Sequence, residues 1–150
     1  MHKHSRTFSE VCAQFFESQE AAGSWKNSQT VSAYRVAFEL FKEFFGDRPL
    51  HTYNPTEAID YHNYLQEIPA GWKKYKETRG LSFEEARKVE KPKLTNDVIR
   101  TRLLAMNSLF EYSKTKRLTD TNIFEGVTIQ RYSNNLSQTS SAAGNVQALI

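Results

Sequence analysis

The sequence has a single cysteine, Cys12, so its 150 residues hold no disulfide framework and no cysteine-built zinc site, a usage that fits a reducing cytoplasm. Helix breakers are also scarce. Six glycines and four prolines leave long uninterrupted stretches, which disfavours a turn-rich β domain and favours helices. Long apolar runs are missing too: no segment approaches the roughly 20 residues that a membrane-spanning helix needs. The stretch His2-Lys3-His4-Ser5-Arg6 is not followed by the apolar core of a secretion signal. A soluble, cytoplasmic chain with no membrane partner is therefore expected. No metal and no cofactor are expected either. His2 and His4 have no carboxylate partner nearby, His51 and His62 lack ligand-like spacing, and Glu84-Glu85 reads as a helix start.

Aromatic residues are plentiful. Ten Phe, seven Tyr and two Trp fall mostly inside periodic segments, and a chain of this length can bury a core of its own. The cleanest of these segments is 94–127, LTNDVIRTRLLAMNSLFEYSKTKRLTDTNIFEGV. Thr95 ahead of Asn96 and Asp97 is a start signal, and Ile99, Leu103, Met106 and Phe110 recur at the spacing that lines one face of a helix. A polar turn at 118–122 then leads to a short apolar return, 123–127, able to pack under that helix.

Upstream, Thr7 or Ser9 opens a helix over about 7–19, with Phe8, Val11, Cys12, Phe15 and Phe16 as its stripe. Ser28 to Thr30 can cap a second helix over 29–45. On it Val31, Tyr34, Phe38, Phe41 and Phe45 share one face, Ala37 and Phe44 flank it, and Ser32, Val36, Glu39 and Glu43 lie opposite. Gly46-Asp47-Arg48-Pro49 is a stop. Asn54-Pro55 starts a third helix over 55–68, because asparagine accepts from the free backbone donors and proline sits where no donor is needed. Residues 69–93 form a basic connection in which Ser82 and Glu85 match a capping box for a short helix over 83–89. The fourth main helix spans 96–116. The predicted fold is all-α, four main helices packed as two crossed hairpins with no sheet. Past Val127 the chain turns polar, and 133–145 has the composition of a linker with little fixed structure that leads to a further segment.

Net charge is +3 with a pI near 9.0, and the basic residues crowd the second half. That balance tilts towards a polyanionic partner without reaching the charge of a protein that binds nucleic acid by electrostatics alone.

In its second helix the chain carries Thr30, Tyr34, Phe38 and Phe41 at the spacing Thr-x3-Tyr-x3-apolar-x2-Phe, running into Phe45-Gly46-Asp47. Leu50, Tyr53, Ile59 and Leu65 follow in register. The last block has Leu94-Thr95, Ile99, Leu103, Met106, Leu109-Phe110, Tyr112, Leu118, Asn122 and Val127. Over roughly 7–130 this order resembles the N-terminal core-binding, SAM-like domain of tyrosine recombinases, the phage integrase family. The chain departs from that pattern at Val98 (frequently threonine), Ser113 (alanine), Arg117 (glycine) and Ile123 (proline).

The resemblance implies a DNA-binding domain over 1–130 and a linker or tail over 131–150 towards a catalytic domain that is not in this chain. It implies a function too, clamping attachment-site double-stranded DNA for integration or recombination beside other recombinase subunits of the full-length protein. Strand cleavage in the family belongs to the catalytic domain, and no His-x-x-Arg occurs here, so the chain itself is not expected to be an enzyme. No tyrosine is assigned as a nucleophile. Tyr34 and Tyr61 read as packed aromatics with their hydroxyls at the rim.

The family offers its second and fourth helices to the major groove. On the fourth helix Asn96, Arg100, Asn107 and Lys114 fall on one flank, with residue types suited to adenine, guanine and phosphate. On the second, Lys26, Thr30 and Arg35 lie near the start, where a phosphate is favoured, although Thr30 also suits a cap and Arg35 a pair with Glu39. Lys73 and Lys74, interleaved with Trp72 and Tyr75, add non-specific phosphate contacts. A helical protein-interaction module without DNA binding is the alternative reading.

Overall fold

Each helix begins where a side chain can accept from the free amides of its first turn. In the computed structural model, which describes residues 6–23 and 27–127, these helices are α1 (Phe8–Ala21), α2 (Ser28–Phe45), α3 (Pro55–Leu65), α4 (Phe83–Ala86) and α5 (Asn96–Thr115). A 3-10 turn at Leu50–Thr52 sits between α2 and α3. Thr7, Asn54 and Ser82 close capping boxes with Glu10, Glu57 and Glu85, and Thr95 accepts from the Val98 amide. One cap differs from expectation. Asn27, not a residue of 28–30, caps α2, its Oδ1 accepting from the Gln29 amide at 2.7 Å.

The described residues contain no β-strand. Two isolated backbone bridges, Thr7 with Pro49 and Pro69 with Lys93, merely fasten segment ends together. α3 stops at Leu65 rather than 68, because residues 66–68 tighten into turns, and α4 is one turn long rather than two. The predicted linker at 133–145 lies outside the described residues. No described helix is long and apolar enough to cross a membrane.

α2 and α5 form the central pair, and α1 and α3 each pack against both. The predicted face of α5 is buried throughout, whereas on α2 only Phe38 and Phe41 of the predicted face are fully buried and Val31, Tyr34 and Phe45 are half-buried; both helices also bury residues that the 3, 4 spacing did not mark. Leu40 joins Ala37, Phe38 and Phe41 on α2, and Ala105, Leu109 and Ser113 join the α5 stripe. Tyr61 corrects the expected rim position: it is fully buried, and its hydroxyl donates to the Ala37 carbonyl at 2.8 Å. Arg48 ties the α2–α3 corner by donating to both Glu57 oxygens, at 2.7 and 3.0 Å, and this pairing holds the Glu57 carboxyl below its usual range.

The connection between α3 and α5 is not a loose loop. Ala70 and Leu94 amides bond across its base to the carbonyls of Pro92 and Ile68, and Trp72 is buried with its indole N–H on the Leu81 carbonyl. Phe83 seats α4 on α2 and α3, its ring centroid 5.0 Å from Phe44 and 5.1 Å from Tyr64.

α5 ends at a residue in the left-handed region. Arg117, where that pattern has glycine, adopts φ 61, and the Leu118 amide donates back to the Ser113 carbonyl at 2.8 Å. A left-handed residue with a Cβ costs roughly 1–2 kcal/mol, against about 0.5–1 kcal/mol that glycine loses in chain entropy. Arg117→Gly should therefore raise the unfolding free energy by up to about 1 kcal/mol in a denaturant titration. A less stable glycine variant would contradict this helix stop.

Candidate nucleic-acid interface

The residues marked in the sequence do not form one patch. On α5, Asn96 is exposed in the first turn and Lys114 in the last, and Arg100 is half-buried with its guanidinium 3.8 Å from Asp97. Asn107, on the same flank, has turned inward. Its Oδ1 accepts from Asn122 Nδ2 at 2.8 Å, and that amide also donates to Glu111 Oε2 at 2.9 Å. Asn122 is buried, and its own Oδ1 accepts from the Phe124 amide at 2.9 Å. This chain of bonds fastens the apolar return under α5. The flank is thus occupied at its middle by the return segment, with Asn96 and Lys114 left in solvent at its two ends.

On α2 the picture is similar. Lys26 lies outside the described residues, and Thr30 is half-buried in the first turn. Arg35 does not pair with Glu39; its guanidinium lies 4.8 Å above the Phe16 ring, on the side of α2 that faces α1. There it borders a cleft lined by Cys12, Phe16 and Phe38, where burial pushes the Cys12 thiol far above its usual value and keeps it protonated. Lys73 is engaged twice, with Glu43 at 3.0 Å and over the Trp72 ring at 4.1 Å, while Lys74 lies 5.9 Å from the centre of the Tyr75 ring. Trp72 itself belongs to the core rather than to a solvated loop.

The residue that the sequence reading passed over is Arg102. It stands in the buried arc of α5, three residues after Ile99 and four before Met106, where the spacing calls for an apolar side chain. A cation inside an apolar repeat was the available signal. Arg102 lines a groove between the first halves of α2 and α5, with Ser28, Gln29, Ser32, Ala33 and Val36 on one wall and Val98 and Thr101 on the other. Burial lowers the pKa of its guanidinium, and the nearby Tyr61 opposes that shift. Among the described residues no carboxylate lies within ion-pair distance of it. A partly desolvated cation without a counter-charge costs free energy unless an anion from outside completes it.

The groove has further features that suit a polyanion. It opens at the first turns of two long helices, whose dipoles present their positive ends there. The acids of the same exposed surfaces are spoken for or lie further along: Glu43 holds Lys73, and Asp97 leans on Arg100. Val36 adds apolar surface to the groove, 39 % exposed, and Leu104 of α5 is 46 % exposed. Among the described residues no cluster of three or more His, Cys, Asp and Glu side chains could hold a metal ion. No protein-family model, no curated protein and no solved structure matches the chain.

The two halves of the sequence-marked α5 flank differ in what their removal should do. Asn107→Ala removes one of the two side-chain acceptors of the buried Asn122 amide and should lower stability by about 1 kcal/mol. Asn96→Ala and Lys114→Ala should stay within about 0.5 kcal/mol of wild type. Urea titrations of the three variants decide it, and equal effects would contradict the structural role of Asn107.

Proposed function

We propose that this chain is a duplex-DNA-binding module of the kind that tyrosine recombinases carry ahead of their catalytic domain, two crossed helical hairpins of SAM-like type, and that it meets DNA along the α2–α5 groove. The observation that carries this reading is Arg102, a half-buried guanidinium held between two helices with no described carboxylate within ion-pair distance. Its planar fork matches either a phosphate or the O6 and N7 edge of guanine. Ser28, Gln29, Ser32 and Thr101 supply hydroxyl and amide partners around it, and Val36 supplies apolar surface of the sort that meets thymine methyl groups.

The sequence resemblance supports the same pair of helices, the second and fourth main ones, but the structure moves the weight within them. On this reading Arg102 reads or anchors, Arg100 and Lys114 contribute from the neighbouring flank, and Asn107 serves the fold. Lys73 and Lys74 stay as peripheral phosphate contacts. Strand cleavage belongs to a separate domain.

The exposed Val36 and Leu104 also favour a second reading, a helical module that docks a protein partner. Titration of labelled duplex DNA at several salt concentrations separates the two. Wild type should bind with steep salt dependence, in the non-specific range of about 10⁻⁴ to 10⁻⁶ M at physiological salt for random sequence. Arg102→Ala should weaken binding more than Arg100→Ala. If Arg102 meets a phosphate, its loss reduces the salt slope by about one on every sequence; if it meets guanine, it costs roughly 1–3 kcal/mol on a preferred site and little on random DNA. Absence of binding at low salt, or binding without salt dependence, would favour the protein-docking module.

A further inference from the structure

Tyr75 is the most exposed aromatic among the described residues, with 48 % of its surface in solvent, yet it is held firmly. The edge of its ring occupies the space beside Gly71 that a side chain would need: a Cβ on Gly71 would lie 2.2 Å from Tyr75 Cε2 and 2.3 Å from Cδ2. Gly71 also has φ 76, a conformation that suits glycine. The Tyr75 amide donates to the Gly71 carbonyl at 3.0 Å, and the Tyr75 carbonyl accepts from Thr78 and Arg79 at 3.1 and 2.8 Å. Beneath this turn, Thr78 is buried with its hydroxyl on the Trp72 carbonyl at 2.8 Å. The ring is therefore presented to solvent on a fixed support.

Its surroundings are cationic. Residues 71–80 carry Lys73, Lys74, Lys76 and Arg79 against one carboxylate, Glu77, and of these cations Lys73 is neutralised by Glu43. Lys74, Lys76, Glu77 and Arg79 are all exposed. An anchored ring with phosphate-binding charges around it matches the two repeating parts of a nucleic acid strand, a flat base and an anionic link. Bases inside a duplex already stack on their neighbours, so a ring on a surface turn reaches only an unpaired one.

We propose that Tyr75 is a stacking platform for an unpaired nucleobase and that Lys74, Lys76 and Arg79 hold the adjoining phosphates, so that the connection between α3 and α5 binds single-stranded nucleic acid. This site is separate from the α2–α5 groove and does not depend on the duplex reading. A ring serving only to cover Gly71 would leave binding indifferent to bases.

The test uses the 150-residue chain and two fluorescein-labelled oligonucleotides of equal length, oligo-dT and its abasic counterpart, followed by anisotropy at low salt. Wild type should prefer the base-bearing strand, and Tyr75→Leu should erase that preference with a loss of about tenfold on oligo-dT. Tyr75→Phe should keep it. Gly71→Ala, which displaces the ring while leaving every charge in place, should weaken oligo-dT binding as Tyr75→Leu does. Arg102→Ala should leave the preference intact, and Tyr75→Leu should leave duplex affinity intact, so each site can fail alone. Equal affinity of wild type for the two strands overturns the proposal, as does a Tyr75→Leu protein that weakens duplex and single strand alike, or a chain that binds neither strand.

Discussion

The ring of Phe41 is where the separate parts of this chain are forced into one arrangement. It is fully buried near the middle of the second half of α2, and its centroid lies 5.1 Å from Phe8 of α1, 5.0 Å from Tyr53, 5.5 Å from Tyr61 of α3, 6.2 Å from Phe110 of α5 and 5.8 Å from Phe124 of the return segment. Edge-to-face aromatic pairs add about 0.5–1.5 kcal/mol each beyond the area they bury, and they are directional. A core joined this way fixes angles as well as distances. That is why a groove between α2 and α5 exists before any ligand arrives, and why the binding account does not require the helices to move.

From that centre the links run outward to the surface. Tyr61 packs on Phe41 and donates a hydrogen bond from its hydroxyl to the Ala37 carbonyl, while its neighbour Arg102 stands between the core and the open groove. An arginine in this position is poor material for stability. Its charge is partly stripped of water and no described carboxylate answers it, whereas a leucine would fill the same arc at lower cost. The structure carries that cost at the mouth of a groove and not in the closed core, which is the arrangement expected of a group that waits for an anion.

Much of the fold could be read in the sequence because its signals were local and redundant. Thr7, Asn54-Pro55, Ser82 with Glu85, and Thr95 each mark a helix start through a side chain that satisfies backbone amides a few residues away, and the structure uses every one of them. What was lost depended on distant partners. The Asn107 side chain looks like a surface reader along the helix, and only the return of the chain to Asn122 turns it into a structural bond. Arg35 looked set for a local pair and instead lies over Phe16 of another helix. Arg102 was overlooked for the opposite reason: the apolar spacing was read as a stripe, and a cation inside it was passed over.

The central claim, that the α2–α5 groove is the face offered to duplex DNA, is tested most directly by mapping amide shifts in isotope-labelled protein as a short duplex is added at low salt. The account predicts that the largest changes fall on Ser28, Gln29, Ser32 and Val36 of α2 and on Val98, Thr101 and Arg102 of α5. It also predicts that, on a duplex Arg102 prefers, these changes need more DNA to develop when Arg102 is replaced by alanine. Changes centred instead on the cleft between α1 and α2, around Cys12, Phe16 and Arg35, would contradict it.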